Sequence, residues 1–251
     1  MKSTFFTFIL LLPICLSCQQ KPTEKITIAT AANMQFAMKA LTEAFKEYHQ
    51  IDCELIISSS GKLTAQIKEG APYDVFVGAN MKYPEAIFQS GLAAHSPRIY
   101  AKGKLVLWTM DEEIEVSLDI LSFPEIDHIA LANPKTAPYG IAAMDVLNHY
   151  QLIDQVKEKL VYGESIAQTN QFITSKAAKI GFTAMSVVLS PEMKGKGKWL
   201  EIDPSTYRSI DQGVVLLKKE GKDIKDAQLF YDFLFSSEAH KILNDYGYLV
   251  E

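Results

Sequence analysis

From Lys25 onward the chain alternates short apolar strands with amphipathic helices, and it runs through that alternation twice. "KITIAT" reads as a strand, and a helix follows over about Asn33 to His49 with Met34, Ala37, Met38, Leu41 and Phe45 on one face. "CELIIS" and "YDVFVGA" are the next strands, with helices near Gly61 to Glu69 and Tyr83 to Ser90. After "KGKLVLWTM" the same grammar returns. "HIALAN", "KLVYG" and "AKIGFT" read as strands, while "YGIAAMDVLNHY" and "SIAQTNQFITS" read as helices. "GVVLLKK" is a further strand, and helices over about Ile224–Phe235 and Ser237–Asp245 close the chain. Such alternation requires parallel strands joined by helical crossovers, which places the chain in the α/β class. Two similar halves imply two doubly wound α/β lobes around a ligand cleft.

The N-terminus stands outside this pattern. Lys2 and the apolar "FFTFILLLPI" are too short to span a bilayer at roughly 20 residues, but they suit a signal-peptide core. Leu16-Ser17-Cys18 resembles the end of a bacterial lipoprotein signal, with Cys15 standing where leucine is usual. Residues 1–18 are therefore read as a lipoprotein-type signal peptide, Cys18 as the lipid anchor, and residues 19–25 as a linker. Cys53, the remaining thiol, lies in the apolar "IDCELII" and reads as a small packed hydrophobe. A net charge of −5 gives no basic stripe for a nucleic-acid partner.

In an open parallel sheet, ligands sit beyond the carboxyl ends of the strands. The turns there are "TAAN", "SSSGK", "NPKTAPYG", "GESIAQT" and "TAMS", most of them rich in hydroxyls, amides and small residues. Helix N-termini add unpaired N–H groups and a partial positive charge, so several such turns facing one cleft would surround an anion with neutral donors. Taken singly, "SSSG" and "TAAN" read equally as helix caps. The charged residues nearest these turns, Lys62 and Glu164, are expected to face solvent.

"ITIATAANMQFAMKAL", "SSSGKLTAQIKEGAPYDVFVGAN", "NPKTAPYGIAAMDVL" and "FYDFLFSSEAHKILNDYGY", in this order, resemble the periplasmic molybdate-binding proteins of ABC transporters over nearly the whole chain from Lys25. The resemblance implies a type II periplasmic-binding-protein fold, with residues 25–104 plus 209–251 forming one lobe and 105–208 the other. It implies a non-catalytic, monomeric receptor that delivers molybdate or tungstate to a permease in the inner membrane. That protein would sit in the periplasm or on the cell surface and need no cofactor. Carried over by position, the oxyanion would meet Asn33 and its preceding turn, Ser60, Tyr139 and, through its backbone N–H, Ile166. Thr30 and Ser59 are neighbours of lower rank. Molybdenum would be held only as the oxyanion. Some members use a tyrosine hydroxyl where this chain has Ala184; others carry it on the tyrosine of "APYG", a pattern that Tyr139 fits.

Molybdate is a proton-free dianion at neutral pH, so a ring of donors satisfies it. Phosphate keeps a proton that would face unpaired donors at about 1–3 kcal/mol. Sulfate and phosphate receptors are the nearest alternatives. An enzyme is the alternative from another class, but the chain has no G-x-S-x-G, no H-E-x-x-H and no Walker loop, and its five histidines are scattered.

Overall fold

Period-two alternation carries the first sheet. Ile28, Val75, Val77 and Val214 pack into one core, while Ala29, Phe76 and Val215 turn to the opposite face and a second core. A strand buried on both sides must be covered by helices on both sides, which is the doubly wound arrangement. The structure is a computed structural model that describes residues 25–219, 221 and 223–250. The signal sequence, the Cys18 anchor and the linker through residue 24 lie outside the described residues.

In chain order the strands are β1 (Ile26–Ala31), β2 (Cys53–Ser58), β3 (Val75–Gly78), β4 (Arg98–Gly103), β5 (Leu105–Thr109), β6 (Ile129–Ala132), β7 (Leu160–Gly163), β8 (Ile180–Ala184), β9 (Lys198–Glu201) and β10 (Ile210–Leu216). The helices are α1 (Gln35–His49), α2 (Ser60–Lys68), α3 (Lys82–Gln89), α4 (Pro138–His149), α5 (Ile153–Val156), α6 (Ile166–Thr174), α7 (Met185–Val188), α8 (Lys225–Phe233) and α9 (Ser237–Asp245). One sheet has the order β2-β1-β3-β10-β4 and the other β7-β6-β8-β5-β9.

Neither sheet is wholly parallel, which corrects the reading from alternation alone. β10 runs antiparallel to β3 and β4, and β5 runs antiparallel to β8 and β9. The sequence reading missed β4 and β9 because "RIYAKG" and "KWLE" are edge strands broken by charge, with no apolar run to mark them. The chain leaves the first sheet at the end of β4 and enters the second at β5, with Lys104 alone between them. It returns between β9 and β10. Helices α8 and α9 then pack on the first sheet, where Phe45 of α1 meets Phe230 edge-on with ring centroids 5.2 Å apart. The C-terminus is stitched to β4 by paired backbone bonds between Lys102 and Leu249, at 2.7 and 2.9 Å. Cys53 is half-buried against the same core, and burial pushes its thiol up to about 12, so little thiolate forms at neutral pH.

Candidate functional site

A small cavity lies where the two lobes meet beyond the carboxyl ends of β1, β2, β3 and β6. Its first-lobe wall is Ala31, Ala32, Asn33, Ser59, Ser60 and Ala79. Its second-lobe wall is Ala137, Pro138, Tyr139 and Ile166. No charged side chain is among them. The cavity volume of about 10 Å³ is on the order of one water-sized sphere, so the lobes are drawn together over the site.

Three helices begin at this wall. Ser60, Tyr139 and Ile166 stand in the first turns of α2, α4 and α6, where no carbonyl one turn back can accept their N–H groups. Ala32 and Asn33 open a short 3₁₀ turn at the end of β1 in the same way. These helix ends supply N–H donors and partial positive charge from both lobes without any formal charge.

The serines divide the work. Ser59 is the N-cap of α2, and its hydroxyl oxygen accepts from the Lys62 N–H. Ser60 is buried, and its hydroxyl oxygen accepts from the Ala79 N–H at 3.0 Å. That bond occupies a lone pair and leaves the Ser60 hydrogen free to donate into the cavity.

Asn33 sits in the wall, but its side chain has nothing left to give. Its amide nitrogen donates to Gln212 Oε1 at 2.9 Å and to the Tyr248 hydroxyl at 3.0 Å. The backbone N–H is therefore the group it can offer an anion. Thr30 is fully buried on β1 and lies outside the wall, with a hydroxyl that makes no hydrogen bond among the described residues. The structure thus does not bring it to the cavity, because its side chain emerges one residue too early on the strand. Ala184 ends β8 outside the wall as well.

Tyr139 departs from the role drawn by resemblance. Its ring borders the cavity, but its hydroxyl end lies against Gly103 of β4, where an added Cβ would come within 2.2 Å of Oη. The hydroxyl falls short of a regular hydrogen bond, but it stands in the polar cluster of Asn33 and Tyr248 and interacts with both. Burial, with Tyr248 nearby, raises it well above the usual tyrosine range, so it stays protonated. Tyr139→Phe should leave oxyanion affinity within about threefold, since the hydroxyl faces Gly103, and lower the melting temperature slightly, since Asn33 and Tyr248 lose a polar neighbour. Calorimetric titration checks the first outcome and a melting curve the second.

The mouth of the cleft is closed by contacts between lobes. The Gly61 N–H donates to the Thr136 carbonyl at 3.0 Å, and the Tyr83 hydroxyl reaches the Lys135 carbonyl at 3.4 Å. Lys62 and Glu164 are exposed as expected, but they pair with each other across the mouth instead of standing free in solvent. Two long side chains at such exposure add little stability. Gly61 matters more, because a Cβ there would lie 3.1 Å from both Cα and O of Thr136. Gly61→Ala should weaken oxyanion binding on the order of 3- to 10-fold by holding the lobes apart, with the ligand-free melting temperature unchanged. Titration and melting of the variant test both halves.

Sequence reasoning placed Ala137 and Pro138 only as members of the turn "NPKTAPYG" and missed Ala79. Ala79 follows β3 directly, so the rule that sites lie past strand carboxyl ends could have found it. It also gave no role to Gln212, which carries no motif, or to Tyr248, which closes the quoted "FYDFLFSSEAHKILNDYGY".

The family described as bacterial extracellular solute-binding protein matches residues 26–249. The molybdate-binding protein ModA of Azotobacter vinelandii is 35% identical over 235 residues, spanning 93% of this chain and 92% of its own. ModA of Rhodobacter capsulatus is 34% identical over 228 residues, spanning 90% and 89%. The solved structure of the Azotobacter vinelandii periplasmic molybdate-binding protein superposes with a TM-score of 0.85 at 30% identity, covering 90% of this chain and 100% of that one.

Proposed function

The chain belongs to the bacterial extracellular solute-binding proteins, and from that premise we propose that it captures molybdate or tungstate and delivers it to an ABC permease. The observation that carries this reading is the cavity wall: donors converge from both lobes, and no carboxylate is present to accept a proton. A proton-free dianion satisfies such a wall completely. Hydrogen phosphate does not, and the mismatch costs about 1–3 kcal/mol. Relatives named as molybdate-binding proteins, spanning nearly the full length of this chain, support the same ligand.

In this reading the ligand contacts are the Ser60 hydroxyl and the backbone N–H groups of Asn33, Ser60, Tyr139 and Ile166, with Ser59 capping α2 beside them. Thr30 is not among them. The protein binds and releases its cargo unchanged, with no cofactor and no catalysis. It acts outside the cytoplasm as a monomer, held to the membrane through a lipid on Cys18. Hinge closure about the crossovers encloses the anion, and the closed form is what the permease engages.

A thermal-shift series with molybdate, tungstate, sulfate and phosphate tests the assignment. At a hundredfold excess over the dissociation constant, binding stabilises the fold by about 2.7 kcal/mol. Molybdate and tungstate are expected to raise the melting temperature and phosphate is not. Equal shifts with sulfate would remove the molybdate assignment, and a shift with phosphate alone would remove the donor-only account of the wall.

A further inference from the structure

Behind the cavity, Asn33 is gripped from three directions. Its amide nitrogen donates to the Tyr248 hydroxyl, which lies 3.0 Å from Ser186 Oγ, and Ser186 Oγ in turn lies 2.8 Å from the Asn33 carbonyl oxygen. The Tyr248 hydroxyl also lies 3.1 Å from the Asn33 carbonyl oxygen, a second acceptor within its own lobe; directed through Ser186, every hydrogen in the ring is used once. Asn33 donates to Tyr248, Tyr248 to Ser186, and Ser186 back to Asn33. The second amide hydrogen goes to Gln212. All four residues are buried, so the bonds are sheltered from competing water.

The ring spans the lobes. Asn33, Gln212 and Tyr248 belong to elements of the first sheet and its helices, while Ser186 opens α7 at the end of β8 in the second. The Ser186–Asn33 and Ser186–Tyr248 bonds therefore join the two lobes, one residue from Met185, whose N–H donates to the carbonyl of the crossover residue Lys104 at 2.9 Å. Ala184, two residues earlier, offers the ligand no hydroxyl; Ser186 offers one to the opposite lobe.

We propose that Ser186 and Tyr248 are positioning residues that latch the closed form onto Asn33, fixing the backbone N–H that Asn33 presents to the anion and slowing ligand release. This rests on the oxyanion-receptor reading above and adds to it the groups that set residence time. On this proposal opening the cleft breaks both Ser186 bonds, with the Tyr248 hydroxyl turning to the Asn33 carbonyl oxygen 3.1 Å away, whereas the encounter with the open form involves neither. The latch thus acts on dissociation and not on association.

Stopped-flow release and association of molybdate, measured on the full chain, test this. Ser186→Ala should speed dissociation on the order of 3- to 10-fold, with the association rate unchanged. Ser186→Thr, which keeps the hydroxyl, should restore slow release. Tyr248→Phe gives the same readout from the other side of the ring if Ser186→Ala folds poorly. An unchanged dissociation rate in both Ser186→Ala and Tyr248→Phe would overturn the latch. If the unaltered protein bound neither molybdate nor tungstate, the ligand reading would fall, and the latch would be read from spin labels on exposed Glu47 and Glu158 in ligand-free protein. There Ser186→Ala should shift the inter-lobe distances longer, and an unchanged distribution would overturn it.

Discussion

Ser60→Ala is expected to raise the dissociation constant for molybdate on the order of 10- to 100-fold. The Ser60 hydroxyl, like that of Ser59, stands at the wall with its hydrogen uncommitted, and its oxygen already accepts from the Ala79 N–H. Removing it withdraws one hydrogen bond to a charged acceptor in a dry site, worth about 1.5–3 kcal/mol. The same change orphans the buried Ala79 amide, so the ligand-free protein should also lose about 1–3 kcal/mol of stability. The two effects separate experimentally. Isothermal titration of folded protein reads the first, and denaturant unfolding without ligand reads the second. Wild-type affinity in this variant would mean that the cavity is not the oxyanion site.

Gly140→Ala should cost on the order of 3 kcal/mol of stability and lower the melting temperature by roughly 6–12 °C. A Cβ on Gly140 would stand 2.0 Å from the Ala132 carbonyl oxygen, 2.7 Å from its carbon and 2.9 Å from the Pro134 nitrogen. All three are backbone atoms, so no side-chain rotation relieves the clash. Helix α4 must instead lift away from the end of β6, and Tyr139, the preceding residue, moves with it. Affinity should therefore fall along with stability, in contrast to Tyr139→Phe, which leaves the helix in place. Calorimetric unfolding and a molybdate titration of the same preparation check this; an unshifted melting temperature would show that α4 tolerates the displacement.

The sequence was most legible where local chemistry and tertiary position agree. "CELIIS" is a strand and Ser237–Asp245 a helix in the structure as in the reading, because burial periodicity marks both without help from the rest of the chain. Ser60, Asn33, Tyr139 and Ile166 fall at one wall because strand ends in a doubly wound sheet converge by topology. What each residue contributes was not legible. The distinction between the Asn33 side chain and its N–H depends on Gln212 and Tyr248, which stand 179 and 215 residues away. The Tyr139 hydroxyl is turned from the cavity by the absence of a side chain at Gly103. Strand direction was hidden for a similar reason. Antiparallel β5 and β10 have the same apolar composition as parallel strands, and nothing local records which way a neighbour runs.

The place of β10 has a consequence for the order in which the molecule matures. It lies between β3 and β4, so until residues 210–216 emerge during synthesis, β4 has no sheet partner and three parallel strands end in an open edge. The second sheet draws all five strands from one uninterrupted stretch, Leu105 to Glu201, and can assemble as soon as that stretch is available. Here the N-terminal portion must wait for its successor, reversing the usual head-first sequence of vectorial folding. The last strand to be made is the one that completes the first half.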